Sequence, residues 1–224
     1  MATAAEYVLV DHEPLHKEKW RSDTVRLVRV QFPPHTRCLW HQHVKYGIYI
    51  CIEELRAYEQ AVGKEKQALF KQRGEVFCRD HTKDKLIHVV ETGEETVFIV
   101  EVELLAEKIT VPNGSLPFHQ SPSLVCLHHE DVCRVYRITL LSERPQVELV
   151  LPTGGVVVAL DKCEVTVHNP TVDDKIHADH ARDIPGETKT LEAGDEFVVV
   201  PGKFTMKLSS QHAGAAGFIL AETY

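Results

Sequence analysis

The chain has 224 residues, 43% hydrophobic and 26% charged, a balance that suits a globular protein of one large or two small domains. Its formal net charge of -8 excludes the basic face that non-specific nucleic-acid binding needs. No apolar run approaches the length of a membrane span, and the N-terminus lacks a basic-then-apolar signal peptide, so a cytoplasmic protein without membrane contact is expected.

Residues 1–24 are polar and read as an irregular arm or edge strand. From Val25 the grammar becomes that of strands: Val25 to Phe32, stopped by Pro33-Pro34, then an apolar, β-branched run from Leu39 to Ile52. The charged stretch Gln60 to Arg73 reads as a loop or short helix. Strands resume at Gly74-Glu75-Val76-Phe77-Cys78, at Ile87 to Val90 and at Val97 to Leu105. Pro112, Asn113-Gly114, Pro117 and Pro122 mark 106–122 as a linker. Beyond it, residues 123–224 repeat the pattern of short strands, interrupted by a polar loop from Asn169 to Thr188. Gly194-Asp195-Glu196-Phe197-Val198 echoes Gly74-Glu75-Val76-Phe77, so the halves read as two editions of one plan. No long amphipathic helix is visible, and the prediction is an all-β chain of two small barrels.

The chemistry concentrates in Trp40-His41-Gln42-His43. On a strand, alternate side chains share a face, so His41 and His43 point the same way and can close on one metal ion. A third ligand must come from a neighbouring strand, and His88 in Lys85-Leu86-Ile87-His88-Val89-Val90 is the candidate. The same parity directs Lys45, Tyr49 and Cys51 inward with them; Tyr49 is the candidate catalytic group, as a hydrogen-bond donor to substrate, against the plainer role of a core tyrosine. Cys51 reads as core filling. The six cysteines form no CxxC pair and read as reduced thiols. The opposite parity, Ile48, Ile50 and Ile52, is apolar too; a strand apolar on both faces needs cover on both, so a homodimer is expected.

These residues resemble the cupin superfamily, and the repeat makes the chain similar to a bicupin of two tandem jelly-roll barrels. His41-Gln42-His43 matches the His-x-His of the first cupin motif, Gly74 the glycine of the second, and His88 its histidine. The likeness is good over 25–105, which implies a metal-binding barrel, and weak over about 130–224. Gly47 stands where the first motif carries a glutamate, so the implied ligand set is three histidines: His41, His43 and His88. In the second half the His-x-His register falls near Leu149 and Leu151, which implies a degenerate, metal-free barrel over 123–224; His168, His177 and His180 lack ligand spacing.

The resemblance implies one divalent transition metal, with iron(II) favoured and zinc, nickel or manganese as alternatives. An all-imidazole set leaves the ion its full charge, which favours a small anionic organic substrate. The site resembles that of three-histidine cupins of the thiol, diketone and gentisate dioxygenase kinds, which implies a dioxygenase. The alternatives are a metal-dependent isomerase, lyase or hydrolase, and a non-enzymatic module that binds a metal or small molecule.

Overall fold

The structure is a computed structural model, and it describes residues 6–105, 116–169 and 186–224. The expected linker 106–122 is described only from Leu116 onward, where it carries no strand before Leu124; His177 and His180 fall outside the described residues. Within them the chain is nearly all β, with a single 3-10 turn at Val10–His12. It divides into two compact units, Met1–Glu107 and Lys108–Tyr224.

The first unit contains β1 (Val8–Leu9), β2 (His16–Arg21), β3 (Val25–Phe32), β4 (His41–His43), β5 (Tyr46–Cys51), β6 (Leu55–Ala61), β7 (Gln67–Lys71), β8 (Val76–Asp80), β9 (Leu86–Thr92) and β10 (Val97–Leu104). They form two five-stranded sheets, in the orders β1-β4-β9-β6-β7 and β2-β3-β10-β5-β8. Between these sheets Val28, Val30, Phe32, Tyr49, Cys51, Leu55 and Val97 build the core.

The second unit contains β11 (Leu124–Glu130), β12 (Cys133–Leu140), β13 (Gln146–Leu151), β14 (Gly155–Ala159), β15 (Cys163–His168), β16 (Glu187–Leu191), β17 (Glu196–Val199), β18 (Gly202–Leu208) and β19 (Ala216–Thr223). Its sheets run β11-β12-β19-β14-β17 and β13-β18-β15-β16, the order of the first unit strand for strand, without a counterpart of β1. Even the irregularities recur: β2 bulges between Glu18 and Trp20 against β3, and β11 between Cys126 and His128 against β12. Gly74 (φ 74°) and Gly194 (φ 85°) are both left-handed, as the turn before β8 and before β17 requires. The repeat read in the sequence is a structural one, and the all-β tandem-barrel architecture is observed.

Two local expectations need correction. The run from Leu39 to Ile52 is two strands in different sheets, β4 and β5, because the chain changes sheet at Val44-Lys45. Lys45 therefore lies in the connection rather than on the inward face, whereas Tyr49 and Cys51 stay in the core. Gln60 to Arg73 is no helix and only in part a loop; β6 runs on to Ala61 and β7 follows after a turn, with Gln67, Ala68 and Phe70 exposed. Of the two readings of the N-terminal 24 residues, the edge strand is the one found for His16 to Arg21, which form β2 paired with β3.

Candidate metal centre

Antiparallel pairing of β4 with β9 sets His41 directly opposite His88, and His43 lies one pleat along. The Nε2 atom of His41 sits 3.1 Å from Nε2 of His43 and 3.0 Å from Nε2 of His88. All three rings are buried, His41 completely. The structure therefore brings together the three histidines that the sequence selected.

Their outer nitrogens are all engaged. His41 Nδ1 donates to the Leu39 carbonyl at 2.9 Å, which fixes the proton on Nδ1 because a carbonyl only accepts. His88 Nδ1 lies 2.6 Å from Glu59 Oε1, and Glu59 is also held by Arg79 at 2.8 Å. Burial would raise the Glu59 pKa, but the bonds to His88 and Arg79 hold it far below the ordinary carboxylate range, so it is an acceptor. His43 Nδ1 faces the Tyr49 hydroxyl at 3.3 Å and Glu101 Oε1 at 3.5 Å. Burial pushes His41 down to about 2, helped by repulsion from His16, His88 and His43. It pushes His88 down to about 4, although Glu59 pulls the other way.

Two neutral imidazoles, each with its proton on Nδ1, thus turn bare Nε2 lone pairs toward one another at 3.0 Å. That contact is repulsive unless a cation lies between them. Ligand atoms about 2.1 Å from one ion stand about 3.0 Å apart at a right angle and about 3.4 Å apart at a tetrahedral angle. The two spacings about His41 fit ligand pairs at a right angle, and the donor chemistry fits a divalent transition metal.

Gly47 explains the missing glutamate. A Cβ at this position would lie 2.8 Å from Cε2, Cζ and Oη of Tyr49, so the tyrosine ring occupies the space over residue 47. Tyr49 stacks on Phe77 with centroids 4.9 Å apart. Burial, followed by the charge of Glu101, keeps its pKa well above normal, so it remains a protonated phenol. Its hydroxyl touches the outer nitrogen of His43. The predicted catalytic tyrosine is thus placed against the His43 ring as well as in the cavity wall.

Four polar residues near the centre were not selected from sequence. His16, on β2, is buried with its ring 4.6 Å from that of His41. Glu59 and Glu101 stand behind His88 and His43, and Arg79 grips Glu59. Glu101 and Glu103 sit in the otherwise apolar β10, and two acids inside such a strand were a readable sign of buried chemistry. Burial raises the Glu101 pKa, but His43, His16 and the Tyr49 hydroxyl together lower it more, so Glu101 stays charged; burial and that charge push Glu103 up to about 7.

Beside the histidines lies a cavity of about 50 Å³, lined by Phe77 and Arg79 and by the apolar Val30, Phe32, Leu55, Val90, Val97 and Ile99. Its floor carries His16, His43 and His88.

The second unit supplies an internal control. Through the shared pairing, His41, His43 and His88 correspond to Leu149, Leu151 and Phe204. Tyr49 and Glu101 correspond to Val157 and Leu220, Arg79 to Val199, and Glu59 to Val167. All seven replacements are apolar members of the second core. By contrast, Arg26 opposite Glu103 recurs as Arg134 opposite Glu222, so polarity that serves the sheet is kept while the centre's is lost together.

No family model matches the sequence, and no curated protein does. Solved structures share the fold. AerE from Microcystis aeruginosa aligns at TM-score 0.57 and 11% identity, over 95% of this chain and 98% of its own. An oxalate decarboxylase from Lactobacillus farciminis gives TM-score 0.57 at 9% identity, over 90% and 77%. A cupin 2 conserved barrel domain protein from Leptotrichia buccalis gives 0.53 at 10%, over 93% and 88%. The chain therefore has the tandem cupin-barrel fold, with a buried histidine group in its first barrel that can hold a metal ion.

Proposed function

We propose that this chain is a metal-dependent enzyme whose first barrel holds one divalent ion on His41, His43 and His88, and that it is an iron(II) dioxygenase of a small anionic organic molecule. The observation that carries the reading is the pair of bare Nε2 atoms facing His41 at 3.0 and 3.1 Å, with the outer nitrogens occupied. Bound there, the ion supplies a Lewis acid with open positions and, as iron(II), the electrons that dioxygen chemistry needs.

The chain's own residues do the rest. Leu39, Glu59, Glu101 and Tyr49 orient the imidazoles and keep each proton on the outer nitrogen. The apolar walls accept the hydrocarbon part of a substrate and exclude water. Arg79 is already paired with Glu59, so the anionic group of the substrate is left to the ion rather than to a free cation of the wall.

The test is metal analysis of the purified protein and of a His41→Ala/His43→Ala variant, followed by oxygen uptake over a panel of thiols, diketones and catecholates. One ion per parent chain, none in the variant, and uptake that requires iron and one substrate class are expected. An ion bound without oxygen uptake would remove the dioxygenase and leave the centre; no ion in either protein would remove both.

A further inference from the structure

The geometry points to His16 as a fourth imidazole ligand of the same ion, delivered from the N-terminal edge strand, so that the centre is a four-histidine one. This rests on the three-histidine reading above and adds a ligand to it.

His16 is buried among the rings of His41, His43 and Phe32, with centroids at 4.6, 5.9 and 5.7 Å. Its Nδ1 is held at 2.7 Å by Oε2 of Glu13, itself buried, so the proton again sits on the outer nitrogen and Nε2 is left for the interior. The ligand atoms of His16, His41 and His43 all lie within 4.8 Å of one another. Two ligands of one ion are at most about 4.2 Å apart, so a shift of roughly half an ångström closes any remaining gap among these three.

Plain packing does not account for this arrangement. His16 pairs with Val30 as Leu124 pairs with Ile138 in the second barrel, so leucine fills the same place where the other histidines are absent. The turn that leads into the strand does not need the carboxylate either. The His16 amide bonds the Glu13 carbonyl, as the Leu124 amide bonds the Ser121 carbonyl, and Ser121 Oγ still receives the Ser123 amide as Glu13 receives that of Leu15. What serine lacks is the reach to an imidazole. Histidine and carboxylate are present only where the other three histidines are.

The experiment titrates the full chain with cobalt(II), whose visible spectrum reports its ligands, and measures affinity by chelator competition. His16→Leu installs the second barrel's residue. It should still bind cobalt(II), on the order of 100-fold more weakly and with an altered spectrum, while Glu13→Gln should weaken binding about tenfold with the parent spectrum. X-ray absorption on the cobalt-loaded parent, which needs no variant, should count four imidazoles. Three imidazoles, or a His16→Leu protein with the parent's spectrum and affinity, would overturn the assignment while leaving the three-histidine centre standing. A parent that binds no cobalt(II) would overturn both.

Discussion

The Glu13 carboxylate accepts the Leu39 amide at 3.2 Å, and Leu39 in turn presents its carbonyl to His41 Nδ1. Through its other oxygen the same carboxylate holds His16 and the Leu15 amide. One buried acid therefore ties the N-terminal segment to the approach of β4 and helps orient two of the imidazoles. Burial would raise its pKa, but His16 and the two amides outweigh that and hold it below the ordinary range.

Glu13→Ala should accordingly cost more than an ordinary cap. It strands two amides and the His16 ring nitrogen in the interior, and unpaired buried groups cost about 1–3 kcal/mol each where water cannot reach them. We expect a loss on the order of 3 kcal/mol in urea unfolding of the metal-free protein. A loss below about 1 kcal/mol would show that water takes the place of the carboxylate.

Glu59→Gln tests the support behind His88. The amide can still accept from Nδ1 but loses the charge that polarises the ring and its pairing with Arg79. Metal affinity should fall about 10- to 100-fold with the fold intact, as is usual when a ligand's outer partner is weakened. Unchanged affinity in a chelator competition would mean that His88 is not a ligand.

Gly47→Glu would restore the residue that cupins carry at this position. Because a Cβ there meets the Tyr49 ring at 2.8 Å, the substitution should destabilise by about 1–3 kcal/mol and leave metal affinity no higher. Combining it with Tyr49→Ala should recover part of the loss, giving a favourable coupling in a double-mutant cycle. Additive losses would show that the ring and residue 47 do not compete for space.

How much of this was legible before folding follows from burial patterns. His41 and His43 stand in an apolar stretch at strand spacing, and Gly74 and Gly194 punctuate both halves, so barrel, repeat and first ligands could be read directly. His16 could not. In β2 it is the only fully buried residue beside Lys17, Glu18, Lys19, half-buried Trp20 and Arg21, so the strand shows no alternating apolar signal. Pairing between β2 and β3, not local sequence, turns it inward. The break between β4 and β5 was hidden for a related reason: Val44-Lys45 contains neither glycine nor proline, and the change of sheet leaves no local mark.

Acid should unfold the metal-free protein early. An unfolded chain protonates His41 and His88 near the ordinary histidine pKa of about 6.5, whereas the folded chain does so only near 2 and 4. Below pH 6.5 the unfolded state holds more protons, so stability that is complete above this pH is lost as the pH falls, by up to about 1.4 kcal/mol per unit for each histidine. Glu103 has the opposite sign. Its folded pKa is raised to about 7, so it adds stability as the pH falls from 7 toward 4.5 and offsets one histidine. Glu13, Glu59 and Glu101, all lowered, add losses only below about pH 4.5. His81, also lowered by burial, adds to the loss, so the net expectation from pH 6.5 to 4.5 is a fall of at least about 1.4 kcal/mol per unit in chelator-treated protein, measured as the denaturant midpoint. Glu103→Gln removes the offset and should steepen the fall by about a further 1.4 kcal/mol per unit. A midpoint flat to pH 4.5 in both proteins would mean that the imidazoles are hydrated in the metal-free fold, and that the buried centre forms only when metal is bound.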